Sequence, residues 1–164
     1  MSLTPRISLR TPLKFKYLTY KLGSGRTIFL PLINARLKSE KETLDTAGLL
    51  DTGATESFIP LELAEILEIL PEREDKRIVT PVITAGGEAE FYRAKIEYIY
   101  LLKGGKIFYE FKKFTVLIPK TIDKDLPYVI FGRNSIFKVF NVTFIEKTHR
   151  FILEHHKWAR KKGR

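Results

Sequence analysis

The segment Gly48-Leu49-Leu50-Asp51-Thr52-Gly53-Ala54-Thr55-Glu56-Ser57-Phe58-Ile59-Pro60 constrains this chain more than any other stretch. The apolar run 47–50 ends in a carboxylate, and Thr and Gly follow at once. A short apolar run bounded by turn residues predicts a strand that delivers Asp51 at its end. Gly53 permits the tight turn that must follow. A carboxylate at the mouth of a hydrophobic strand has an ionisation set by its surroundings, which poises it for proton transfer. The plainer reading of the same residues is a turn aspartate whose side chain caps the following amides.

Hydrolysing an amide with aspartate alone needs one group to hold a proton and another to activate water. Two carboxyls a few ångströms apart share one proton and fill both roles. The chain holds a single Asp-Thr-Gly; the near echo Leu44-Asp45-Thr46-Ala47-Gly48 has Ala where the turn needs Gly and reads as chance or as a hairpin turn. A catalytic Asp51 would therefore find its counterpart in Asp51 of a second chain, across a two-fold axis.

Three pieces in order support a resemblance. Asp51-Thr52-Gly53-Ala54 followed by Ser57-Phe58-Ile59-Pro60 resembles the active-site loop of retroviral-type (retropepsin-like) aspartic proteases. Leu126-Pro127-Tyr128-Val129-Ile130-Phe131-Gly132-Arg133-Asn134 is similar to the segment that packs beneath that loop in the family and starts its C-terminal helix. Between them, Ile83-Thr84-Ala85-Gly86-Gly87-Glu88 stands where the family carries a glycine-rich flap. The tripeptide alone is a weak signal; the ordered set is much stronger. The helix expected after Pro60 places the chain with cellular and prokaryotic relatives, since the viral enzymes lack it.

The resemblance implies roles. Asp51 would be catalytic, with Thr52, Gly53, Ala54 and Arg133 supporting its loop; the Thr52 hydroxyl would bond across the dyad to the other subunit, or else be satisfied locally. Ala54 replaces the Ser or Thr of pepsin-like enzymes and removes one donor from the carboxylates. Retroviral members carry Asp at the position of Thr55, paired with the arginine of Gly-Arg-Asn. Arg133, expected as a buried guanidinium, must find another partner, with Glu56 nearest in sequence. Ala85, Gly86 and Gly87 would form the flap, closing over an extended substrate. Ile59, Ile83, Tyr128 and Ile130 would line pockets or serve as plain core.

Composition narrows the class. At 164 residues the chain is one domain's worth. No apolar run approaches the roughly 20 residues of a membrane span, and basic residues interrupt the N-terminus where a signal segment would stand. With no Cys, disulfides and thiolate metal sites are excluded, which fits a reducing cytoplasm. His149, His155 and His156 lack ligand spacing and read as surface or tail residues, so no metal and no cofactor are expected. The net charge of +10 lies at the ends: residues 1–26 carry six Lys/Arg and no acid, 157–164 carry five and no acid, and the rest is nearly balanced, with 18 basic and 19 acidic residues. Nucleic acid and membrane are not expected partners.

Along the chain, 13–22 reads as a strand broken by Gly23-Ser24-Gly25. A second runs over 28–37, with Pro31 marking an edge or bulge. Leu63, Ile66, Leu67 and Leu70 give one apolar face to a helix beginning at Pro60 and ended by Pro71. Two strands meet at Gly86-Gly87, whose glycines would supply the positive φ angles of the bend. A further hairpin turns at Lys103-Gly104-Gly105-Lys106. Residues 128–131 form a short buried strand, followed by a helix through Phe137 and a closing hairpin over 139–154.

The expected fold is all-β: a single-lobe, retropepsin-like closed β-barrel or sandwich with one or two short helices, completed by homodimerisation. Its parts would be a basic N-terminal segment (1–25) that could supply a strand, a protease domain (26–156) and a basic tail (157–164). The expected function is an aspartic endopeptidase acting on peptides or proteins. A peptide-binding or assembly module with the same fold and no turnover is the alternative, since a fold does not guarantee its chemistry. A nucleic-acid-binding protein acting through its basic tail is a third reading.

Overall fold

The computed structural model describes residues 7–122 and 127–159; Leu126 and most of the basic tail lie outside that range. The chain opens with β1 (Leu13–Lys16) and β2 (Leu18–Lys21) in place of one long strand. The break is at Tyr17, which is buried; its N–H donates to the His149 carbonyl at 2.7 Å and its hydroxyl to Glu146 Oε2 at 3.0 Å. Anchored there, the chain passes from one sheet to another. β2 turns through Gly25, at φ +82°, into β3 (Thr27–Leu30). Pro31 then separates β3 from β4 (Leu32–Lys38), since it has no N–H for a ladder.

After Leu32 and Ile33, β4 alternates strictly, burying Ala35 and Leu37 and exposing Asn34, Arg36 and Lys38, as a half-buried strand should. It pairs antiparallel with β5 (Thr43–Leu50). The Leu44–Gly48 echo lies inside β5 and is not a turn: Asp45 stands opposite Arg36, whose Nε and Nη2 donate to its two carboxylate oxygens at 2.6 and 2.9 Å.

Next comes α1 (Leu61–Ile66), shorter than the sequence suggests. Pro60 is its N-cap, Leu67 its C-cap, and Glu68 adopts the left-handed conformation at φ 51°, which ends the helix before Pro71 is reached. Its buried face is Ala64 and Leu67; Ile66, expected on that face, is 54% exposed. β6 (Ile78–Thr84) and β7 (Gly87–Lys103) then form a hairpin that bends at Ala85 and Gly86; of its two glycines only Gly87, at φ +108°, has a positive φ. β8 (Lys106–Pro119) returns along β7 from Lys103 back to Phe91. β9 (Val129–Phe131), α2 (Ile136–Val139), β10 (Phe140–Ile145), β11 (Arg150–His155) and α3 (His156–Ala159) complete the chain.

The architecture is mostly β, in one lobe. The main sheet runs β6-β7-β4-β5-β9, with β8 on the other edge of β7, and β5 and β9 are parallel. It does not close as a continuous ladder. The gap between β9 and β8 is spanned only by isolated bridges from Phe58 to Ile130 and to Leu117. A second sheet, β1-β11-β10, joins the two ends of the described chain, and Phe15 of β1 stacks on Phe151 of β11 at 4.8 Å. One core unites both sheets, with Ile33, Leu37, Ile99 and Phe131 from the first and Phe140, Phe151 and Leu153 from the second. Each such side chain contributes about 1.5–3 kcal/mol when fully buried. Among the described residues no helix is long and apolar enough to cross a membrane.

Candidate active site

Asp51 is placed by the parallel pair β5 and β9. Leu50 stands opposite Phe131, and the Asp51 N–H donates to the Phe131 carbonyl at 3.1 Å. The pair is close because Gly48 has no side chain: a Cβ there would lie 2.2 Å from Phe131 Cε2. Beyond the strand, the Gly53 N–H donates to Asp51 Oδ1 at 2.8 Å. The capping turn anticipated as the plain reading is thus present, and it fixes one carboxylate oxygen while Asp51 lines an open cleft.

The Gly132-Arg133-Asn134 segment braces this loop from below. The Arg133 and Asn134 N–H groups donate to the Ala54 and Thr55 carbonyls at 2.9 and 3.0 Å. Gly132 lies so near the loop backbone that a Cβ would come within 2.3 Å of the Glu56 carbonyl oxygen, a contact no side chain could relieve. Arg133 is exposed and not buried, and Nη2 donates to Thr55 Oγ1 at 2.9 Å. Thr55 therefore still receives the arginine, through a hydroxyl. Glu56, expected near Arg133, instead meets Arg93 of β7, whose Nη1 and Nη2 lie 3.3 Å from Oε1 and Oε2.

A buried polar knot holds the two segments together. Ser57 is fully buried; its Oγ accepts the Gly132 N–H at 3.1 Å and offers its proton to Asn134 Oδ1 and Ser135 Oγ, each at 2.8 Å. Ser135, also buried, donates to the Gly132 carbonyl at 2.9 Å. Every member is satisfied, as buried polar groups must be.

The cleft has a volume of about 440 Å³. Its walls are Phe58, Pro60, Leu61, Phe91, Pro119, Tyr128 and Ile130, with Thr84 and Ala85 of the β6–β7 hairpin and Thr121 adding polar or small surface. Among the described residues, Asp51 is the only acid that lines it. Ala85, Tyr128 and Ile130 line this cleft, and Gly86 and Gly87 lie at the hairpin's bend. Thr52 and Gly53 are exposed and Ala54 partly buried in the loop itself. Ile59 and Ile83 fall elsewhere. Ile59 is wholly buried in the core, while its neighbour Phe58 turns to the cleft and meets the Phe91 ring at 5.3 Å. Ile83 is 89% exposed, while Thr84 and Ala85 after it, themselves exposed, border the cleft. The difference at Ile59 is one of parity, because successive side chains of extended backbone point to opposite faces. Ser57 and Ile59 share the buried side, which leaves Phe58 to the cleft.

Among the described residues no three His, Asp or Glu side chains gather into a metal-holding group. His149, in the left-handed conformation at φ 49°, stacks on Phe29 at 4.2 Å.

The sequence profile described as aspartyl protease matches residues 35–135, a span that holds Asp51, the β6–β7 hairpin and the Gly132 segment. No curated protein matches the chain. Among solved structures it is similar to one titled as the crystal structure of a retropepsin-like aspartic protease from Rickettsia conorii. The TM-score is 0.50 and the identity 19%, over 88% of this chain and 94% of that one, so the likeness is one of fold.

Proposed function

The chain belongs to the aspartyl protease family, and we propose that it is an aspartic endopeptidase working as a symmetric homodimer through Asp51 of each subunit. The observation that carries this reading is a carboxylate, alone among the described lining residues and held by the Gly53 N–H, in a mostly apolar cleft beside a hairpin. One acid per cleft is half of the required pair, and a two-fold axis supplies the other half.

In the dimer one Asp51 is ionised and the other protonated. The ionised carboxylate takes a proton from water as the water oxygen attacks the scissile carbonyl carbon, while the protonated partner hydrogen-bonds the carbonyl oxygen. The tetrahedral intermediate then collapses, and a proton passes to the leaving nitrogen. The substrate lies extended between the Asp51 loop and the β6–β7 hairpin, as an added strand. Thr84, Ala85 and Gly86 close over it and exclude water. The protease unit comprises residues 26–156, to which the N-terminal segment adds β1 and β2 as strands. Dimerisation uses the β1-β11-β10 sheet, whose outer strands β1 and β10 each have one unpaired edge within the described chain.

The test is cleavage of an unfolded protein substrate. Activity that Asp51→Asn abolishes, with the dimer intact by sedimentation, supports the proposal. A dimer that binds peptide without cutting it would make the protein a peptide-binding module.

A further inference from the structure

A second cleft, of about 540 Å³, lies apart from Asp51 and shares no lining residue with the first. Four of its lining residues are cations, Lys14 and Lys16 of β1, Lys103 at the end of β7, and Arg150 of β11, and none is an acid. Lys14 and Lys16 come from the basic N-terminal segment and Lys103 and Arg150 from the nearly neutral body, so the fold gathers four cations from distant parts of the chain into one concavity. No carboxylate among the described residues forms an ion pair with any of the four.

Two further features point to a ligand. Lys16 and Arg150 are direct cross-strand partners, and like charges at such positions repel. Lys103 is held in place: its Nζ donates to the Lys14 carbonyl on the free edge of β1 at 2.6 Å and sits 4.6 Å from the Phe15 ring centroid. An anion seated among these groups would relieve the repulsion and meet a tethered ammonium and a forked guanidinium donor. A volume of about 540 Å³ falls in the range of small-molecule sites. The side chains of Leu18, Leu32 and Leu102 add an apolar wall beside the charges.

We propose that this cleft binds a small anion bearing phosphate groups. A cleft of one charge sign focuses its field and concentrates such a ligand, and a chain of phosphates can engage several cations at once. Asp51 takes no part in this cleft, which lies beside the β1 edge that the proposed dimer would use.

Calorimetric titration of the full-length protein tests it, with inorganic tripolyphosphate and a nucleoside triphosphate as two arms and citrate as a control. The expected result is saturable binding of one phosphate ligand per chain. Lys16→Gln combined with Arg150→Gln should weaken it at least about tenfold, whereas Lys161→Gln combined with Lys162→Gln in the tail should leave it unchanged. Equal affinity in the two arms identifies the phosphates alone as the recognised group. Tighter binding of the nucleotide shows that the apolar wall contributes as well. The Lys16/Arg150 variant should melt no lower than the parent, because a repulsion has been removed, so its loss of binding is not unfolding. The proposal is overturned if neither phosphate ligand binds, if citrate binds as tightly, or if the tail variant loses binding as much as the cleft variant.

Discussion

Arg93 and Glu56 join the β6–β7 hairpin to the Asp51 loop through two contacts of 3.3 Å, with both side chains one-third exposed. Arg93 Nε also donates to Thr80 Oγ1 at 3.2 Å, so one guanidinium ties β6, β7 and the loop. An ion pair this exposed contributes about 1 kcal/mol or less to stability. Its larger effect is on where the hairpin sits over the cleft. Arg93→Gln should lower kcat/KM for peptide cleavage about tenfold and shift the urea midpoint little. Unchanged kinetics would remove this positioning role.

Gly48 and Phe131 set the depth at which β5 meets β9. Gly48→Ala forces a methyl into the Phe131 ring and should cost about 1–3 kcal/mol. Phe131→Leu in the same chain should recover part of that loss, because the obstacle is a side chain. Gly132→Ala meets backbone oxygen and should be worse, with no single side-chain rescue. Denaturant unfolding of the three variants checks the order.

Ser57→Ala would leave the buried Gly132 N–H and the Asn134 side chain each short of a partner. The expected loss is about 1–3 kcal/mol, with lowered activity because the knot aligns the two loop segments. Stability equal to the parent would mean that water replaces the hydroxyl.

The Tyr17 phenol is pushed up to about 12, first by burial and then by its hydrogen bond to Glu146 and that residue's charge. The folded state thus favours the neutral phenol. Its contribution is complete below the ordinary tyrosine value near pH 10 and is lost as pH rises through about 12. Chemical unfolding followed from pH 8 to pH 12 should show a steeper alkaline loss for the parent than for Tyr17→Phe, by on the order of 1–2 kcal/mol. Parallel curves would contradict the shift.

The elements legible in the sequence are those fixed by local chemistry. The apolar run before Asp51, the 103–106 hairpin, the strand at 129–131 and the closing hairpin each follow from run length and turn residues. Long-range contacts were not legible in this way. Asp45 sits in a strand because Arg36 faces it from β4, and Glu56 turned to Arg93, 37 residues away, rather than to Arg133. Tyr17 split a strand because Glu146 and His149 hold it from the far end of the chain. In the cleft, parity separated Phe58 from Ile59, and a buried serine is invisible to a pattern that counts polar residues as exposed.

The central claim is that two chains share one catalytic pair, and subunit mixing tests it most directly. Parent protein is equilibrated with an equal amount of Asp51→Asn, and cleavage is measured per parent chain. If each active site needs an Asp51 from both subunits, random pairing places about half of the parent chains in inactive mixed dimers, so activity per parent chain falls to about half. It should keep falling as the variant is added in excess. Activity per parent chain that stays constant at every ratio, with mixed dimers demonstrably formed, would contradict the shared pair.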